Sequence, residues 1–139
     1  MRELTIDATV ENIEKVTAFV DEQLENFNCP LKIQMQIDIA IDELFGNIAH
    51  YAYHPVTGPA TVQVEVKKEP LEVVITFIDQ GTPYNPLQKE DPDTSMSAED
   101  RQIGGLGIYM VKKSMDGITY EYRDGKNILK IRKNMVCPG

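Results

Sequence analysis

Cysteine is scarce in this sequence, with two residues in 139, Cys29 and Cys137. They match no metal-ligand spacing and form no disulfide framework, so both read as buried or incidental thiols of a reducing compartment. Long hydrophobic runs are missing as well. None approaches the ~20 residues a membrane span needs, and Met1–Asp7 has no apolar export segment. A soluble, cytoplasmic, membrane-free domain is the expectation. Basic residues are also few: 14 Lys and Arg stand against 22 Asp and Glu, a net charge of −8. A protein that tracks a nucleic-acid backbone needs a basic face, so direct nucleic-acid binding is excluded. A pocket for a single nucleotide stays open, because a few backbone N–H groups and a metal ion can do the charge work there.

What is present is a globular mixture, 42% hydrophobic and 26% charged, of a length that fits one domain over 1–139. Such a chain buries roughly two-thirds of its unfolded surface, enough for a core without staples. Leu4-Thr5-Ile6 alternates as a short strand. Thr9 is placed to cap a helix whose stripe is Ile13, Val16, Val20, Leu24 and Phe27, ending near Asn28. Pro30 opens a second helix, buried along Ile33, Ile37, Ile41, Leu44 and Ile48 and stopped by Pro55. Thr61–Val66 and Leu71–Ile78 form a hairpin around Lys68-Glu69-Pro70. A loop without periodicity runs from Asp79 to Gly107, and a third helix follows from Leu106 to Asp116-Gly117. Ile118–Tyr122 and Ile128–Ile131 are joined at Asp124-Gly125. This order predicts an α+β two-layer sandwich, a mixed or antiparallel sheet covered on one face by three helices.

Three constellations carry chemistry. Glu43 and Asn47 lie four residues apart on the second helix, at the rim of its apolar stripe. A carboxylate beside an amide oxygen suits a hydrated Mg²⁺, which takes few protein ligands. Gly46, one residue before Asn47, costs ~1 kcal/mol relative to Ala in a helix interior, which makes sense if another backbone or a ligand approaches closely there. A solvated Glu–Asn pair with Gly46 easing helix packing is the alternative. Next, Asp79-Gln80-Gly81-Thr82 follows a buried strand. The carboxylate can accept from an exocyclic amine, and Gly81 lets a flat ring approach the backbone; a plain strand exit uses the same residues. Finally, Gly104-Gly105-Leu106-Gly107-Ile108 opens the third helix, where unobstructed N–H groups and the helix dipole favour phosphate. A hinge for the preceding loop reads the same way.

The order of these segments resembles the Bergerat ATP-binding fold of the GHKL superfamily, from Leu4 to Ile131. Within it the chain resembles the stand-alone serine/threonine kinases that act as anti-sigma factors in bacterial partner switching. Asp42-Glu43-Leu44-Phe45-Gly46-Asn47 with Ala52-Tyr53 is similar to their N box. Asp79–Pro86 and Gly104–Ile108 with Met115-Asp116 are similar to their adenine and glycine-rich motifs. The resemblance implies that Glu43 is the catalytic base and that Asn47 binds Mg²⁺ bridging the phosphates of ATP. It also implies that Asp79, Gly81 and Thr82 surround the adenine, and that Gly104, Gly105, Leu106, Gly107 and Ile108 cradle phosphate. A lid drawn from residues 87–103 would cover the nucleotide; Lys89–Arg101 carries a net −3 of the chain's charge. The implied substrate is a STAS-domain anti-anti-sigma protein, the sequestered partner a sigma factor, and the assembly a homodimer. A catalytically inactive, nucleotide-gated binding module is the alternative.

Overall fold

The alternating β-branched segments assemble one five-stranded sheet. The computed structural model describes residues 1–88 and 106–136. In it the strands β1 (Arg2–Asp7), β2 (Pro59–Lys67), β3 (Glu72–Asp79), β4 (Gly117–Arg123) and β5 (Lys126–Asn134) lie in the order β1-β2-β3-β5-β4. Every neighbouring pair is antiparallel, so of the two sheets expected the antiparallel one is found. The β2–β3 and β4–β5 connections are hairpins too short for the crossover a parallel pair requires. Asp124 and Gly125 both take positive φ, 54° and 76°, the geometry a two-residue hairpin needs to match strand twist.

Three helices cover one face: α1 (Ile13–Glu25), α2 (Leu31–Asn47) and α3 (Leu106–Ser114), with α2 packed between the other two. Their apolar stripes meet the inward rows of the sheet. Val62, Phe77 and Leu129 are in register across β2, β3 and β5, and Val64, Ile75 and Ile131 form the next row. Phe45, Ile37 and Ile41 of α2 are fully buried above them. Each such side chain contributes roughly 1.5–3 kcal/mol. Cys29 is half-buried against this core, and Cys137 lies outside the described residues.

Three local expectations are corrected. Thr9 is extended (φ −123°, ψ 156°) and precedes a 3-10 turn at Val10–Asn12, with no side-chain cap bond. The helix proper starts at Ile13, and Asn12 donates back to the Asp7 carbonyl at 2.8 Å. Its end falls at Glu25 instead of Asn28, because Asn28 already occupies the left-handed region at φ 56°. The second helix does not run unbroken toward Pro55. After Asn47 it widens into a π turn over Ile48–Ala52, a feature frequent at functional sites.

Candidate functional site

The middle rows of the sheet's inner face are apolar, and polar groups enter toward its ends. At one end the alternation of β3 brings Asp79 inward after Phe77, and that of β5 brings Asn127 inward before Leu129; the two are cross-strand partners. Both are buried, 5% and 6% exposed, and a polar pair in that position requires full hydrogen bonding. It has it. Asp79 Oδ1 accepts from Gly81 N and from Asn127 Nδ2, each at 2.9 Å. Asn127 Nδ2 also reaches the Thr82 carbonyl at 3.0 Å, and its Oδ1 accepts from Tyr84 N at 3.1 Å and from the Tyr120 hydroxyl. Burial pushes the Asp79 carboxyl above its ordinary range, while the bonds from Asn127 and Gly81 pull it back.

These residues floor a cleft of about 430 Å³, its open mouth included, between the sheet and the C-terminal half of α2. Leu44, Ile48, Ala52, Phe77 and Leu129 make it apolar, and Asn47, Asp79, Thr82 and Asn127 supply its polar groups. A flat slot with few convergent polar atoms suits a heteroaromatic base. Tyr51 and Tyr84 flank it, their rings 5.7 Å apart. Among the described residues no Lys, Arg or His lines it.

The π turn fixes the rim. The Ala52 carbonyl at its end accepts from Thr82 N at 2.8 Å. A Cβ on Gly81 would fall 2.2 Å from that same oxygen, so glycine is required there for the backbone of the loop to dock on the helix end. Gly81 is itself not among the residues lining the cleft. Tyr53, just beyond the turn, ties the same region together: its hydroxyl donates to the Pro59 carbonyl at 2.6 Å and accepts from Gln80 N at 2.8 Å.

Glu43 and Asn47 do share a face. Asn47 Nδ2 donates to Glu43 Oε1 at 3.4 Å, which leaves Asn47 Oδ1 as the amide atom available to a metal or a donor. Asn47 lines both the cleft and a second groove formed with Val10, Asp42, Glu43 and His50. Glu43 extends to the start of α3, where a Cβ on Gly107 would lie 2.2 Å from Glu43 Oε2. A carboxylate against the first turn of a helix complements its unpaired N–H groups. Of the two expectations at Gly46, a close backbone or a ligand, no close backbone is found among the described residues: a Cβ there would meet only Ile13 Cδ1, at an ordinary 3.9 Å. Ile108 turns its side chain into the core, leaving its backbone as the part facing the helix start. Leu106 begins α3; Gly104, Gly105 and most of the segment 87–103 lie outside the described residues.

The donor set fits a hydrated divalent ion. Asn47 Oδ1 and the Glu43 carboxylate are hard oxygen donors, and no group of three or more His, Cys, Asp or Glu occurs among the described residues to cage an ion alone. Mg²⁺ held chiefly by phosphate and water needs no such cage. The sequence reasoning missed Asn127 and Tyr120, and it placed Tyr53 in the N box without giving it a role. Asn127 had a signal: period two from Ile131 and Leu129 places an amide at an inward, core position.

Comparison with known proteins agrees with the fold. A family model described as the histidine kinase-like ATPase domain matches residues 6–133. The serine/threonine-protein kinase BtrW of Bordetella bronchiseptica is 29% identical over 100 residues, covering 72% of this chain and 70% of that protein. The serine-protein kinase RsbW of Listeria monocytogenes is 26% identical over 98 residues, covering 67% of this chain and 61% of that protein. Among solved structures, the RsbU and RsbW domains of Rv1364c from Mycobacterium tuberculosis superpose with a TM-score of 0.69 at 18% identity. That match covers all of this chain and 34% of the other, and at this identity the likeness is one of fold. No helix among the described residues is long and apolar enough to cross a membrane.

Proposed function

Because this chain belongs to the histidine kinase-like ATPase domain family, we propose that it is an ATP- and Mg²⁺-dependent protein serine/threonine kinase and anti-sigma factor. Its substrate is a STAS-domain anti-anti-sigma protein, and its second partner is a sigma factor that it sequesters. The kinase names of its relatives support this reading. So does one observation above the rest: α2 carries Glu43 and Asn47 from the mouth of an apolar cleft, floored by buried Asp79, to the first turn of α3.

In this reading adenine lies in the cleft with its amine on Asp79. Thr82 lies at its edge, and Gly81 shapes the loop that carries Thr82. Asn47 Oδ1 supplies the protein ligand of Mg²⁺, which when bound neutralises phosphate charge. Phosphate oxygens meet the backbone from Gly104 to Ile108, under a lid from residues 87–103. Glu43 orients the serine or threonine hydroxyl and accepts its proton as the γ-phosphoryl group passes to the hydroxyl oxygen and ADP departs. Positioning and electrostatics supply most of such catalysis. The edge strand β1, paired on one side only within the sheet, is the surface through which two copies would form a homodimer, and light scattering on the purified chain reads that state.

The test combines purified protein, Mg-ATP and a candidate STAS-domain protein. Phosphate is expected on a serine or threonine of that protein, and Glu43→Ala is expected to abolish transfer while ATP still binds. Partner regulation that survives Glu43→Ala, with no phosphate transferred by the unaltered chain, overturns the kinase reading in favour of a nucleotide-gated binding module.

A further inference from the structure

Gly46 is not explained by the chain around it: it lowers helix stability, and among the described residues no backbone approaches closely enough to require it. It lines the groove beside the cleft, about 520 Å³ with its open mouth included. Leu44 and Ile48 line the cleft, Asp42 and Gly46 line the groove, and Asn47 borders both. Val10, 51% exposed, and Ile13 give the groove an apolar wall. A Cβ at Gly46 would meet only Ile13 Cδ1, so the space over the glycine is open. Asp42 and Glu43 bring two carboxylates to the groove, and among the described residues no Lys or Arg lines it. Asp42 is exposed and makes no hydrogen bond or ion pair among the described residues.

The same face of α2 continues away from the groove as an apolar ridge. Leu31, Met35 and Ile39 are 71%, 55% and 59% exposed. At 3.6 residues per turn they fall, with Asp42 and Gly46, within about 80° of one face of the helix. A single exposed apolar side chain is ordinary, but three in line that end at a carboxylate and a groove have the character of an interaction surface. At 1.5 Å per residue the ridge begins about 18 Å from Glu43.

We propose that this strip of α2 is the docking track of the phosphoacceptor protein, and that Gly46 is the seat of its acceptor segment. The partner rests apolar side chains on Leu31, Met35 and Ile39 and pairs a Lys or Arg near its acceptor serine or threonine with Asp42. Its backbone passes over Gly46, where a side chain would intrude. The inference rests on the kinase reading and adds to it the side from which the substrate arrives. In the transfer, the bond from the γ-phosphorus to the ADP oxygen breaks as the bond to the acceptor oxygen forms, and the hydroxyl proton goes to Glu43. Attacking and leaving oxygens stand roughly in line. The base lies in the cleft on one side of Asn47, so ADP departs on that side and the hydroxyl enters from the other, which is the groove. Charge favours the same occupant: a chain of net charge −8 with two carboxylates in the groove attracts a cationic segment.

The test uses Mg-ATP and the STAS-domain protein of the kinase assay, with Met35→Lys, Asp42→Lys and Gly46→Ala. The first two sit at exposed positions and leave the core intact. Each is expected to raise the KM for the protein about tenfold, as the loss of one well-placed interface contact does, and to move the KM for ATP much less. Calorimetric binding of the same protein, read without phosphate transfer, should weaken in parallel. Gly46→Ala is expected to weaken docking while it raises the melting temperature, which separates a blocked seat from a damaged fold. Unaltered KM and affinity for the protein in Met35→Lys and Asp42→Lys overturn the proposal. So does a change of oligomeric state by light scattering with that KM unmoved, which makes a second copy of the chain the occupant of the ridge. A Gly46→Ala chain that loses ATP affinity instead puts the nucleotide over this glycine and overturns the seat. If the unaltered chain transfers no phosphate to the protein, the kinase reading fails and the proposal falls with it.

Discussion

Asp38 of α2 meets Asp21 of α1 across the helix pair, and each presents a buried Oδ1 with no hydrogen-bond partner while both are ionised. Burial first, then the bond and charge of Asp21, push the Asp38 carboxyl up to about 8. A proton shared between the two resolves the conflict, so Asp38 is held protonated at neutral pH. The unfolded chain ionises near the ordinary 3.8, so the folded state binds the extra proton between these values. Stability contributed by this proton is complete below pH 4 and is lost as pH rises through about 8. The slope is bounded at about 1.4 kcal/mol per pH unit, and solvent access lowers it. Asp38→Asn keeps the shape without the titration. Urea unfolding at several pH values should show a flatter profile for this variant and greater stability than the unaltered chain at pH 8.

Gly46 and Gly81 predict opposite outcomes from the same substitution. A Cβ at Gly46 meets only Ile13 Cδ1 at 3.9 Å, whereas one at Gly81 would strike the Ala52 carbonyl oxygen at 2.2 Å. Gly46→Ala should stabilise the protein by about 0.5–1 kcal/mol, the ordinary helix-interior difference. Gly81→Ala should destabilise it by roughly 1–3 kcal/mol, because backbone must move and the Thr82–Ala52 hydrogen bond is disturbed. Thermal melts of the two variants decide both. A Gly46→Ala chain that is more stable but binds ATP more weakly would show that the ligand itself approaches this glycine.

The layers of this fold were legible because periodicity reports burial. Val62 and Val64 of β2 and the Ile33, Ile37, Ile41, Leu44 stripe of α2 are buried where alternation and 3.6-residue spacing put them. Boundaries were less so. Thr9 has the chemistry of a helix cap, but a 3-10 turn intervenes before α1, and that choice rests on tertiary packing. The π turn at Ile48–Ala52 leaves no trace in hydrophobic spacing, since it is held by a contact far along the chain, from Thr82 to the Ala52 carbonyl, with Gln80 bonded to Tyr53 just beyond it. The candidate site divides the same way. Glu43 and Asn47 are four apart on one helix, so their pairing is local and readable. Asp79 and Asn127 are 48 residues apart, and only the register of β3 on β5 brings them together.

Gly107 marks where α2 and α3 touch at the site. The Glu43 carboxylate occupies the space a side chain would take there, so Gly107→Ala forces the end of Glu43 to swing away. Because Glu43 is flexible and half-buried, the cost to stability should be small. Transfer to a protein hydroxyl depends on the placement of that carboxylate, so its rate should fall by about tenfold or more. ATP affinity should change less than the rate. Single-turnover phosphorylation beside equilibrium ATP binding separates the two effects, and a larger loss in affinity than in rate would place Gly107 in phosphate binding instead.

Asp79 gives the pH dependence of nucleotide binding its sign. Burial raises its carboxyl above the ordinary carboxylate range, with Asn127 and Gly81 opposing the rise. The ionised form is the one that accepts from an amine. As pH falls through this raised value a proton competes with the base, so ATP affinity should decline on acidification earlier than an ordinary Asp would allow. Above that value affinity should be level. Asp79→Asn removes the titration and the charge-assisted bond together. Its affinity should be lower by about 1.5–3 kcal/mol, roughly 10- to 100-fold, and nearly independent of pH between 5 and 8. Calorimetric ATP titrations of both chains from pH 8 down to pH 4 test the pair of effects. An unaltered chain whose affinity stays constant down to pH 4 would remove Asp79 from base recognition.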